Sequence, residues 1–96
     1  MKILALEKES PNVPEDQFVP FLKAEAREVW RLYKQGIIRE IYFTKDTHEA
    51  VLILECEDLN EAENILNNLP LVKEKLITFD IKQLTAYDGF ERLFEK

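Results

Sequence analysis

Along this chain the spacing of apolar residues switches between a period of two and a helical period, in the order strand, helix, strand, strand, helix, strand. The clearest stretch is helical. Leu22, Ala26, Val29, Trp30 and Tyr33 fall at i, i+4, i+7, i+8 and i+11, with Lys23, Arg27, Arg31 and Lys34 on the other side. This predicts a helix over 17–35, with Pro20 in its first turn and Gly36 as its left-handed stop, and it places Trp30 and Tyr33 in the core. Strands are predicted over 2–8, 37–44, 49–56 and 75–84, the middle two joined by the turn Lys45-Asp46-Thr47-His48. Asp58, with Glu61 three residues on, opens a second helix whose apolar face is Leu59, Ala62, Leu66 and Leu69, and Pro70 is read as its stop. A tail over 85–96 carries Tyr87, Phe90, Leu93 and Phe94 and is expected to lie on the domain or on a partner.

The order βαββαβ is the ferredoxin-like plan, an α+β fold with two helices on one face of a four-stranded antiparallel sheet. At 96 residues and 11.4 kDa the chain is a single domain over 1–96, expected to expose roughly 5,800 Å². The other sheet face should alternate with polar residues if water covers it. Instead Leu52 and Leu54 oppose Val51 and Ile53, and Ile41 and Phe43 oppose Ile38 and Tyr42, so both faces are apolar. A second copy packed through that face would cover it, making a homodimer whose two sheets close a barrel. Thr78, Asp80, Lys82 and one of Arg39 or Glu40 fall on the same face, so the barrel would hold polar groups and could form a ligand pocket.

Composition narrows the function. Thirteen Lys and Arg against nineteen Asp and Glu leave a net charge of −6, and no basic stripe exists to displace counterions from nucleic acid or to hold an anionic membrane. The first apolar run, Ile3 to Leu6, is too short for a signal-peptide core, so a cytoplasmic location is expected. Cys56 is the only cysteine and has no disulfide partner in the chain. With one histidine, His48 and Cys56 fall short of a metal's ligand set, and Gly36 and Gly89 stand too far apart to form a phosphate loop. Neither metal nor cofactor is expected.

At Leu22-Lys23-Ala24-Glu25, Gly36, Arg39 and above all Leu69-Pro70-Leu71, the sequence resembles the muconolactone isomerase family of dimeric α+β barrels over 17–81. It is more similar to an uncharacterised branch at Arg39-Glu40-Ile41-Tyr42-Phe43, Leu69-Pro70-Leu71-Val72 and the ending Tyr87-Asp88-Gly89-Phe90-Glu91-Arg92-Leu93-Phe94. The resemblance implies a dimer formed through the sheet face, sometimes a higher oligomer, and a cofactor-free proton shift in an unsaturated lactone or related acid. It also implies Glu25 as base and Arg39 as the donor that steadies charge on the carbonyl oxygen. Where the isomerases carry His-Leu-Trp-Arg after that arginine, this chain has Glu40-Ile41-Tyr42-Phe43.

Glu25 and Arg39 are thus the candidate catalytic pair, with Glu40, Tyr42, His48 and Asp80 as candidate substrate-binding residues. Each has a plainer reading. Glu25 and Glu40 could be surface charges, and Arg39 could pair with Glu40 or Asp80. His48 could be an ordinary turn residue and Cys56 a small buried hydrophobe. Two other readings use the same fold. One is a non-catalytic binding or assembly module; the other is a haem-degrading or quinol-oxidising monooxygenase.

Overall fold

The computed structural model describes residues 1–95, so Lys96, the end of the predicted tail, lies outside the described residues. Its elements are β1 (Lys2–Glu9), α1 (Val19–Lys34), β2 (Ile38–Phe43), β3 (Ala50–Glu55), α2 (Leu59–Asn67), α3 (Pro70–Lys73) and β4 (Ile77–Leu84). Short 3₁₀ turns at Glu15–Gln17 and Gly89–Phe94 precede α1 and follow β4. The strands form one antiparallel sheet in the order β2-β3-β1-β4, and the fold is the ferredoxin-like α+β plan.

Local chemistry accounts for most of the boundaries. Pro20 stands in the first turn of α1, where its missing N–H leaves no bond unmade, and Gly36 takes φ +79° just past the helix end. Asp58 caps α2 by accepting from the Glu61 amide at 2.8 Å. Pro70 does not simply stop α2. The chain leaves that helix at Asn67, and Pro70 opens α3, because proline's fixed φ suits a first helical position.

Register assigns the faces. Ile3 lies opposite Leu54 and Ala5 opposite both Leu52 and Ile81, and these side chains turn toward the helices. With Leu32, Ile38, Ala62, Leu66 and Leu69 they build the main core. Leu4 opposite Ile53, and Leu6 opposite Val51, turn to the uncovered face, with Thr78, Asp80 and Lys82 beside them on β4. In β2 the pairing jumps from Ile38–Leu54 to Glu40–Ile53, leaving Arg39 as the extra residue of a bulge. The bulge corrects the alternation read from the sequence: Ile38, Ile41 and Phe43 share the helix side, and Glu40 and Tyr42 take the uncovered side.

The packing of α1 also differs from the sequence reading. Its one fully buried residue is Leu32, at 2 % exposure, while Trp30 is 56 % and Tyr33 47 % exposed. The inward stripe is Phe21, Glu25, Val29 and Leu32, one residue out of step with the more apolar stripe Leu22, Ala26, Trp30 and Tyr33. A glutamate at its centre hid the inward stripe. The tail does not lie on its own domain either: Tyr87, Phe90, Leu93 and Phe94 are 66–82 % exposed.

Candidate functional site

A cleft of about 920 Å³ opens between α1 and the helix side of the sheet, running to the edge strand β2. It lies within one chain and on the opposite side of the sheet from the uncovered face, where the sequence had placed a pocket. The second apolar stripe of α1 forms its wall, which is why Trp30 and Tyr33 are half exposed rather than core.

Glu25 enters this cleft from the middle of α1. The Leu-Pro-Leu turn holds it: Pro70 has no N–H to give, and the amide of Leu71 donates to Glu25 Oε1 at 3.0 Å. Burial raises the Glu25 carboxyl above the ordinary glutamate value, the Leu71 amide opposes the rise, and the charges of Glu7 and Glu28 add to it. A carboxyl held this way stands closer to neutrality, as proton transfer from a weakly acidic C–H requires.

Glu7 stands beside it electrostatically and was missed in the sequence. It continues the Ile3, Ala5 alternation to the end of β1, so an acid takes the next helix-side position. Its Oε1 accepts from the Ala50 amide at 3.1 Å. Burial is again the largest cause of its raised pKa, with Glu9 and Glu49 adding to it and the Ala50 amide and His48 opposing it. The strand alternation was the signal that could have found it.

Arg39 reaches the cleft because the bulge turns it there, and its Nε donates to the Gly36 carbonyl at the end of α1. Among the described residues it makes no ion pair, with Glu40, Asp80 or any other acid. Glu40 and Tyr42 border the cleft only at the rim of edge strand β2, with their side chains turned to the uncovered face, where the Tyr42 hydroxyl donates to Glu40 Oε1 at 2.8 Å. His48 closes the hairpin end with φ +56°, its ring stacked on Phe43 at 3.9 Å between centroids. Glu25, Arg39 and His48 therefore meet in one cleft, with Glu40 and Tyr42 at its edge. Asp80 does not join them, since it lies on the uncovered face of the opposite edge strand, 4.0 Å from Lys82 Nζ. Cys56 is buried, and no group of three or more His, Cys, Asp and Glu is placed to hold a metal ion among the described residues. No helix described is long and apolar enough to cross a membrane.

The carboxyl held by Leu71 has a measurable consequence. Because Glu25 binds its proton more tightly folded than unfolded, its contribution to stability is full below the unfolded pKa and is lost as pH rises through the folded one. Glu25→Gln keeps an oxygen for the Leu71 amide and removes the charge. Its melting temperature at pH 7 is expected to rise by about 2–4 °C, with a smaller difference at pH 4. A melt unchanged at both pH values would show that burial does not act on this carboxyl.

No family model matches the sequence, and no curated protein matches it. Solved structures do match its fold. A 5-chloro-2-hydroxyhydroquinone dehydrochlorinase from Burkholderia phenoliruptrix, solved with 2,5-dihydroxybenzoquinone, is similar with a TM-score of 0.74 and 19 % identity over 93 % of this chain and 98 % of that one. A muconolactone isomerase is similar with a TM-score of 0.76 and 13 % identity over 93 % of each chain. The chain thus has the ferredoxin-like subunit fold of the dimeric α+β barrel proteins, as its sequence led one to expect.

Proposed function

We propose that this protein binds a small unsaturated organic molecule in the cleft between α1 and the sheet and catalyses a cofactor-free proton shift of the muconolactone isomerase type. One observation carries the reading: Glu25 and Arg39, brought from a helix and a strand bulge, line the same cleft, the carboxyl half-buried and held by a backbone amide. In the proposed step the Glu25 carboxylate takes a proton from a ring carbon made acidic by the lactone carbonyl. The electron pair passes onto the carbonyl oxygen, giving a dienolate conjugated with the ring double bond, and the Arg39 guanidinium faces the growing charge. The proton then returns at the far end of the dienolate. Glu40, Tyr42 and His48 line the approach. An open cleft of this size favours ligand binding over the assembly-module reading.

The subunit is proposed to work as a homodimer formed through the uncovered sheet face, with the tail laid on the partner, in the cytoplasm. A chain of this mass is expected to expose roughly 5,800 Å². It exposes 7312 Å², and an excess of about 1,500 Å² per chain, about 3,000 Å² for two copies, is on the scale that an obligate homodimer interface removes.

The test is isomerisation of a neutral β,γ-unsaturated butenolide such as α-angelica lactone in D₂O, followed by proton NMR. Enzyme-dependent exchange and double-bond migration are expected, and Arg39→Ala should slow them by about 100-fold or more while the circular dichroism stays unchanged. Equal rates with and without Arg39 would remove it from the site, and no reaction with the natural chain would count against the isomerase reading.

A further inference from the structure

We infer that Glu7 is a second catalytic carboxyl, which delivers the returning proton to the dienolate after Glu25 has removed the first. The inference rests on the proton-shift reading of the cleft and adds to it the source of the second proton. Glu25 reaches the cleft from α1 and Glu7 from the helix-side face of β1, so the two half-buried carboxyls come from opposite walls, one of helix and one of sheet. Both are fixed in the same manner. The Leu71 amide donates to Glu25 Oε1 at 3.0 Å, and the Ala50 amide donates to Glu7 Oε1 at 3.1 Å. Among the described residues neither Oε2 has a protein donor, so that oxygen is the one left to hold or take a proton. A carboxyl pinned through one oxygen is hindered from swinging between two carbons of a ring. A flat ring lying between α1 and the sheet would instead present one face to each carboxyl.

The surroundings support the division of labour. Burial raises both carboxyls; Glu7 and Glu28 add to the rise at Glu25, and Glu9 and Glu49 add to it at Glu7, where His48 opposes it. Two carboxyls that repel each other titrate as a pair, and the state holding one proton offers a base and an acid together. Arg39, the one guanidinium lining the cleft, is left for the carbonyl oxygen. In the step, Glu25 Oε2 takes the proton from the α-carbon, and the C–H electron pair enters the dienolate. The γ-carbon then takes the proton of Glu7 Oε2, whose O–H electron pair stays on the carboxylate as the carbonyl re-forms. Glu25 ends protonated and Glu7 ionised. Solvent carries the proton from one to the other before the next turnover, so no proton or electron is gained or lost.

Two partial reactions separate a proton donor from a residue that only shapes the cleft. Removal of the α-proton needs Glu25 alone, whereas migration of the double bond needs Glu7 as well. With α-angelica lactone in D₂O, proton NMR reads both, as loss of the α-carbon signal and growth of the conjugated product. Glu7→Gln keeps an oxygen for the Ala50 amide but cannot act as the acid, and it is expected to raise the ratio of α-exchange to migration by about 100-fold. Glu25→Gln should slow both together by about 100-fold or more, with no such split. In the natural chain, lactone dideuterated at the α-carbon and turned over in ordinary water should yield product with ordinary hydrogen at the γ-carbon. Deuterium carried across to the γ-carbon, or a ratio unmoved by Glu7→Gln, would overturn the two-carboxyl step and leave the isomerase reading standing. A natural chain that catalyses neither exchange nor migration would overturn both.

Discussion

Replacing Ile53 with lysine is expected to leave a folded monomer and to abolish the dimer proposed for the natural chain. Ile53 sits in the middle of the uncovered face, opposite Leu4 on one side and Glu40 on the other, with Val51 and Leu6 forming the next apolar pair. None of these side chains touches a helix, so the substitution removes little from the core of the single subunit. In an interface related by a two-fold axis, one substitution places a lysine on both copies of the patch. Each ammonium would then be buried without a designed partner, a cost of several kcal/mol. A rise in the dimer dissociation constant of about 1,000-fold or more is expected, read by analytical ultracentrifugation at micromolar concentration. Thermal unfolding of the natural chain should also depend on concentration, and that of the variant should not. A natural chain that sediments as a monomer, or an Ile53→Lys chain that stays dimeric, would show that another surface, or none, makes the assembly.

What the sequence made legible follows from how local each signal is. The element order, the 44–49 hairpin, the Asp58 cap and the alternation of β3 and β4 each rest on residues close together in the chain, and all are present. The position of Arg39 is not local. A bulge inserts one residue into β2 and reverses the parity of everything before it, and only the pairing with β3 reveals this. The face of α1 was misread because the helix carries two stripes one residue apart. The more apolar one forms the wall of the cleft, while the other brings Glu25 into its inner side and sets Val29 and Leu32 against the core. A ligand cleft inverts the usual inference here, since it keeps large apolar side chains open and draws a carboxylate inward. Glu7 was legible by strand alternation, yet its meaning depends on Glu25 approaching from another element. Asp80 looked equivalent by alternation alone, and strand order sets it on the far edge.

The largest loss of stability is expected from Leu69→Ala, and it should reach the site as well. Leu69 is fully buried, belongs to the main core and lines the cleft. Its backbone is extended (φ −67°, ψ 136°), and its carbonyl accepts from the amides of Val72 and Lys73 at 3.0 and 2.9 Å, so this one residue ends the turn after α2 and starts α3. Truncating such a leucine costs about 3–4 kcal/mol, from lost transfer free energy and the cavity left behind. A domain of this size has only about 5–14 kcal/mol of stability in all. Urea unfolding should therefore show an unfolding free energy lowered by that amount, with the midpoint falling in proportion, and the melting temperature should fall by about 15 °C or more. Leu69→Met, which keeps the volume, should lose less than about 1.5 kcal/mol. A Leu69→Ala loss below about 1.5 kcal/mol would mean that the site collapses around the deletion. The turn that Leu69 anchors also presents the Leu71 amide to Glu25. Loosening it should let the carboxyl turn toward water and fall back toward the ordinary glutamate value. A carbon-13 titration of Glu25 in Leu69→Ala, run below the variant's unfolding temperature, would show that fall. An unchanged titration would mean that Leu71 holds its place without the buried leucine beneath it.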